Sequence, residues 1–157
     1  VRSVTTVGSS ADKEHNIEQY RPLVEAMKEH GAAPVIEQLM YTMFGDTTLA
    51  AQSQASLRST WRNRMAALAR ETGSAAEAVV ERQSVVDELA LIKVPVLAIA
   101  GDEDHAYGID LSEQIAQGVD DGRCIVIKAA GHSASLEAPG PVNEALAAHF
   151  KRAEATS

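Results

Sequence analysis

The sequence predicts an α/β fold in which three parallel strands with flanking helices carry a large, inserted, all-helical segment. Short runs rich in Val and Ile at residues 1–8, 94–100 and 123–129 each close on Gly or a Gly-containing turn, as strands do. The second and third are nearly continuous apolar runs, the pattern of strands covered on both faces of a parallel sheet. A single helix-length stretch separates them, which makes a βαβ unit. Residues 12–92, by contrast, hold helical periodicity and almost no β pattern.

The elements follow in order. Val1-Arg2-Ser3-Val4-Thr5-Thr6-Val7 is the first strand, and residues 1–11 form the first piece of the core. A chain that opens on a strand without Met is expected to be a piece of a longer protein. Four helices are expected over 15–30, 33–44, 47–71 and 74–90, divided by Gly31 and Pro34, by Gly45 and by Gly73. Ile17, Tyr20, Val24 and Met27 make the apolar stripe of the first. Leu57, Trp61, Met65 and Leu68 make that of the third, so Trp61 is read as packing. An all-helical unit over 12–92 between parallel strands is a cap over the sheet's carboxyl edge, where α/β folds place ligands. Residues 93–157 return to the core, with a crossover helix over Leu111–Gly118. A final helix from Pro141 to about Arg152 carries Val142, Ala145, Leu146 and Phe150 on one stripe.

Bulk properties exclude several functions. At 157 residues, with 45% apolar and 23% charged side chains, the chain has the make-up of one globular domain. A formal charge of −8 argues against a nucleic-acid groove or an anionic membrane surface as partner. No run approaches the roughly 18 apolar residues of a spanning helix. The one cysteine, Cys124, lies mid-strand as a small core residue, and such cysteine usage suits a reducing cytoplasm.

Two loops carry chemistry. The strand at 94–100 runs into Gly101-Asp102-Glu103-Asp104, and that at 123–129 runs through Ala130 into Gly131-His132. Adjacent parallel strands lie about 5 Å apart, so these loops can touch. A histidine there can serve as general base, because imidazole titrates near neutral pH, and a neighbouring carboxylate would fix its tautomer. Asp104 and His132 are the catalytic candidates. His105 raises the thought of a metal, but no second histidine lies at ligand spacing. His15, His30 and His149 are expected to be solvated, and Glu137 to anchor a loop or start a helix. Met40, Tyr41, Met43 and Phe44 cluster near a helix end, either as cap core or as an apolar, substrate-binding pocket wall.

Val94-Pro95-Val96-Leu97-Ala98-Ile99-Ala100-Gly101-Asp102-Glu103-Asp104 resembles the α/β-hydrolase fold family's apolar strand with its G-x-x-D ending. Gly131-His132-Ser133-Ala134-Ser135-Leu136-Glu137-Ala138-Pro139 resembles that family's G-H-x-x-x-x-E-x-P signature. The resemblance implies that Asp104, rather than its neighbours Asp102 and Glu103, is the acid of a catalytic triad, and that His132 is the base. Asp12 is a reserve for the acid, since some relatives place it after the strand that Val1–Ser10 resembles. The likeness spans the chain but only the carboxyl-terminal half of the family's fold. The family's nucleophile elbow, G-x-S-x-G, has no counterpart here: Gly8-Ser9-Ser10-Ala11 and Gly73-Ser74-Ala75-Ala76 lack the second Gly.

The function implied is part of a cofactor-free serine hydrolase acting on a small ester, lactone or similar bond, with its Ser outside these residues and this chain alone inactive. A dehalogenase or epoxide hydrolase with an Asp nucleophile is the sibling reading. A ligand-binding shell or one half of a split fold is the reading from another class. The partners expected are a small-molecule substrate and either the missing amino-terminal half or another chain, covering the open edge of the first strand.

Overall fold

Every residue of Val96–Gly101 (β2) is buried, and this strand is the middle of a three-stranded parallel sheet. Val4–Val7 (β1) and Gly122–Ile127 (β3) flank it in the order β1-β2-β3. The computed structural model describes residues 1–155. Val7 lies opposite Ile99 and Gly101 opposite Ile127, so the carboxyl ends of the strands set residues 8, 102–104 and 130–132 side by side. β3 differs from the expectation of burial on both faces. Its residues alternate, with Arg123 and Ile125 exposed, since no further strand among the described residues lies beyond it. Cys124, half-buried, packs on the inner side, where burial raises its thiol pKa.

Successive β2 side chains point to opposite faces, so one strand feeds two cores. Leu97 and Ile99, with Ile127, pack against Ala134 of Ala134–Glu137 (α7) and against Val142 and Ala145 of Pro139–Ala155 (α8). Val96 and Ala98 pack on the other face against Ile115 of Ile109–Gln117 (α6), with Val119, Leu89 and Ala11. Each such aliphatic side chain contributes about 1.5–3 kcal/mol through burial. The buried stripe of α8 is Val142, Ala145, His149 and Ala153, which corrects the sequence reading at two places. Phe150 is 50% exposed, and His149, expected in solvent, is 4% exposed. The i, i+3, i+7 spacing from Val142 carries the inward face through 149, not 150.

The cap comprises Ile17–His30 (α1), Ile36–Met43 (α2), Asp46–Ala50 (α3), Ala55–Ala66 (α4) and Glu71–Val80 (α5), with short 3-10 turns at Ala33–Val35, Gln52–Gln54 and Val86–Leu91. The continuous helix expected over 47–71 is broken at Ala51, whose backbone is extended. The Arg58 guanidinium closes the break by donating to the carbonyls of Thr48 and Ala51. Gly73, expected to divide two helices, instead lies inside α5. A Cβ there would come within 2.6 Å of Lys28 Cγ and 2.7 Å of its backbone nitrogen, so Gly73 permits close packing of α5 on α1. Met27, Ala32 and Val35 form the cap's own core. No helix among the described residues is long and apolar enough to cross a membrane.

Candidate active site

The acid loop begins where β2 ends, and each of its three carboxylates has a separate partner. Asp102 accepts the Ala129 N–H at 2.7 Å and pairs with Lys128 at 3.2 Å. This holds Ala129 at φ 54°, a left-handed conformation that L residues rarely adopt, as the chain turns from β3 toward the base loop. Glu103 reaches the cap, accepting from Thr47 N and Thr47 Oγ1, both at 2.6 Å. Asp104 turns inward. Its side chain is 1% exposed; Oδ1 accepts from the backbone N–H groups of Ala106 at 2.8 Å and Tyr107 at 3.0 Å. Its Oδ2 lies 3.1 Å from His132 Nδ1.

With Nδ1 facing a carboxylate, His132 carries its proton there and leaves Nε2 as the basic nitrogen. Nε2 has no protein hydrogen-bond partner among the described residues, and His132 lines a cavity of about 300 Å³ under the cap. The structure thus brings the two sequence-derived candidates together, with the imidazole on a cavity wall. Gly8, at the end of β1, is the backbone against which this pair is seated. Its φ is +52°, and a Cβ there would lie 3.0 Å from His132 Nδ1 and 3.2 Å from Asp104 Oδ2.

Glu137 locks the base loop to the cap. Its buried carboxylate accepts from Gly131 N at 2.9 Å and from Gly45 N at 2.8 Å. The Ser133 N–H adds a third tie, donating to the Met43 carbonyl at 2.9 Å. His105 adds another: its ring stacks on Tyr41 at 4.0 Å, Nδ1 lies 2.7 Å from the Tyr41 carbonyl oxygen, and Nε2 pairs with Asp46 at 3.3 Å. The reserve acid, Asp12, faces elsewhere. It caps Lys13 N and pairs with His15 at 3.1 Å, and hydrogen bonds to Ser84 and to the Lys13 backbone lower its pKa.

Of the four apolar cap candidates, Met43 lines the cavity. Met40 and Phe44 are instead buried inside the cap, and Tyr41 is 55% exposed, covering His105. Helix geometry gives the reason. Leu39, Thr42 and Met43, at i, i+3 and i+4, share the cavity face; Met40 lies at the flank of that face, about 60° round from Met43, and Phe44 follows the helix on extended backbone. Sequence reading missed Glu14, Tyr20, Arg82 and Tyr107. Tyr107 meets the His132 ring edge-on at 5.4 Å, and its hydroxyl joins Glu14 at 3.2 Å and Arg82 at 2.8 Å. Tyr107, three residues past Asp104, was within reach of a turn argument; Glu14 and Arg82 meet only through the tertiary fold.

No protein-family profile matches this sequence, nor does any curated protein. Solved structures do match. An esterase from Thermogutta terrifontis superposes with a TM-score of 0.85 at 19% identity, over 97% of this chain and 56% of that one. The enol-lactonase from Burkholderia xenovorans LB400 gives 0.85 at 18% identity, over 95% and 56%. A putative non-heme bromoperoxidase from Mycobacterium tuberculosis H37Rv gives 0.79 at 17% identity, over 98% and 59%. The chain therefore spans little more than half the length of the structures it matches. It has the α/β-hydrolase fold in part: three parallel strands, their flanking helices and a helical cap.

Proposed function

We propose that this chain is the carboxyl-terminal, acid–base half of a serine hydrolase acting on a small ester, lactone or similar bond. The observation that carries the reading is the Asp104–His132 pair at 3.1 Å, with the imidazole lining an apolar cavity. In the proposed cycle a serine hydroxyl supplied from outside these residues gives its proton to His132 Nε2 and attacks the acyl carbon. His132 returns that proton to the leaving oxygen, then takes one from the water that attacks the acyl-enzyme and gives it to the serine oxygen as the acid is released. Asp104, held by the Ala106 and Tyr107 N–H groups, orients the imidazole and stabilises the imidazolium that forms twice per turnover. The esterase and lactonase among the matched structures support an acyl-transfer reading over the dehalogenase or epoxide hydrolase alternative.

The same proposal gives the open side of β1 a partner. β1 pairs with β2 alone among the described strands, and Thr5 Oγ1 and Thr6 Oγ1 are buried without a hydrogen-bond partner. A nucleophile-bearing half seated along this edge would complete the sheet. The test is hydrolysis of p-nitrophenyl acetate by this chain alone and by a protein that joins it to such a half. Turnover is expected only in the second case; serine-type turnover by these residues alone overturns the proposal.

A further inference from the structure

The cavity beside His132 has apolar walls, built by Leu23, Val24, Met27, Leu39 and Met43 among others, and polar lining from Glu14, Tyr20 and Tyr107, of which Tyr107 meets the imidazole. Most of that polar lining is committed to the protein. Glu14, its side chain 3% exposed, accepts from Asn16 N at 2.9 Å through one oxygen. Its other oxygen accepts from Tyr107 Oη at 3.2 Å and from Arg82 Nη1 at 3.3 Å. Arg82 is spent in turn. It donates to the Asp12 and Val79 carbonyls at 2.7 and 3.0 Å, and its guanidinium lies over the Tyr107 ring at 5.1 Å. Arg82 supports Glu14 without lining the cavity, so the fixed charge presented to a ligand is the carboxylate's.

Tyr20 is different. It lines the same cavity from α1, yet its hydroxyl makes no hydrogen bond among the described residues and is not closed off from solvent. Burial, then the negative charge of Glu14, push its pKa up, so the group remains a neutral donor. A free donor set into an apolar wall favours a ligand with an acceptor there, since water must otherwise be stripped from it without replacement. A carboxylate in that place would find no cation among the lining residues, since Arg82 is committed to Glu14, and would meet the Glu14 carboxylate instead.

We infer that Tyr20 is a specificity-determining residue, donating a hydrogen bond to a keto, ether or second ester oxygen on an uncharged acyl chain, while Glu14 disfavours acyl chains that end in a carboxylate. This rests on the proposed hydrolase reading, with the cavity as its acyl site. The test compares six-carbon p-nitrophenyl esters in the enzyme that contains this chain: hexanoate, 4- and 5-oxohexanoate, and the adipate monoester. Tyr20→Phe is expected to lower the kcat/KM ratio of the preferred oxo ester to hexanoate about two- to tenfold, the factor of one neutral hydrogen bond. Glu14→Gln is expected to raise the ratio of adipate monoester to hexanoate. Ratios that stay at their wild-type values in both variants overturn the inference. Absence of hydrolysis with every ester counts against the hydrolase reading, and binding then decides the inference separately. The same protein is titrated by NMR with 2-heptanone and with toluene. A two- to tenfold fall in the ketone-to-toluene affinity ratio in Tyr20→Phe sustains the role of Tyr20; an unchanged ratio refutes it.

Discussion

Replacing Glu137 by Ala should destabilise the protein by about 3–6 kcal/mol. The carboxylate accepts two backbone N–H groups, Gly45 at 2.8 Å and Gly131 at 2.9 Å, while only 8% exposed itself. A hydrogen bond to a charged group contributes about 1.5–3 kcal/mol net, and a buried donor left unpaired loses a comparable amount. Both donors belong to tightly packed backbone, since a Cβ on Gly131 would run into the Gly45 nitrogen, and neither glycine can turn toward water to recover a partner. With domain stabilities of about 5–15 kcal/mol, two such losses consume much of the total. Glu137→Gln keeps one acceptor oxygen and should cost about half as much. Urea unfolding followed by circular dichroism reads both variants. The midpoint should fall in the order wild type, Gln, Ala, by about 0.5–3 M at each step for slopes of about 1–3 kcal/mol per M. An Ala variant within about 0.5 kcal/mol of wild type would refute the claim that this carboxylate binds cap to base loop.

Two further predictions follow from the same geometry. Gly8→Ala forces a side chain into φ +52° and places its Cβ 3.0 Å from His132 Nδ1. It should cost about 1–3 kcal/mol in urea unfolding and lower ester turnover tenfold or more; wild-type turnover would show that the pair is not seated on Gly8. His149, buried on α8 near the Val4 backbone, has its pKa lowered from 6.5 by burial and by the Arg152 charge, with Arg123 adding to this and Asp121 opposing it. The folded state therefore binds the proton less well than the unfolded chain. Stability from this group is complete above pH 6.5 and is lost as pH falls from there through the lowered folded value. His149→Leu should flatten urea stability against pH over that window, whereas parallel curves for the two proteins would contradict the assignment.

What the sequence made legible was local. β2 could be read because six consecutive small or aliphatic residues suit only a strand buried on both faces, and its Gly101 ending located Asp104. The base loop followed from β3 by the same logic, although β3 itself is half-exposed, because periodicity does not say how many strands lie beyond it. The break after α3 was hidden, since Ala51 carries no Gly or Pro signal and the interruption is held by Arg58 from the next helix. Gly73 misled for the reverse reason: a glycine can mark a helix end or a close helix contact, and only the approach of Lys28 distinguishes them. In the cap cluster, residue type was informative and direction was not. Met40 and Met43 are equally apolar and stand only about 60° apart around α2, so periodicity could not say that one is buried and the other lines the cavity. Glu14, Arg82 and Tyr107 meet across long stretches of chain, which no local pattern encodes.

In the proposed hydrolase, Asp104 and His132 supply acid–base catalysis to a nucleophile outside this chain. The measurement that tests this most directly is kcat for p-nitrophenyl acetate in the enzyme containing this chain, comparing wild type, His132→Ala and Asp12→Asn. A loss on the order of 10⁴-fold or more is expected for His132→Ala, with Asp12→Asn close to wild type. Turnover that survives His132→Ala, or that collapses with Asp12→Asn, would contradict the account.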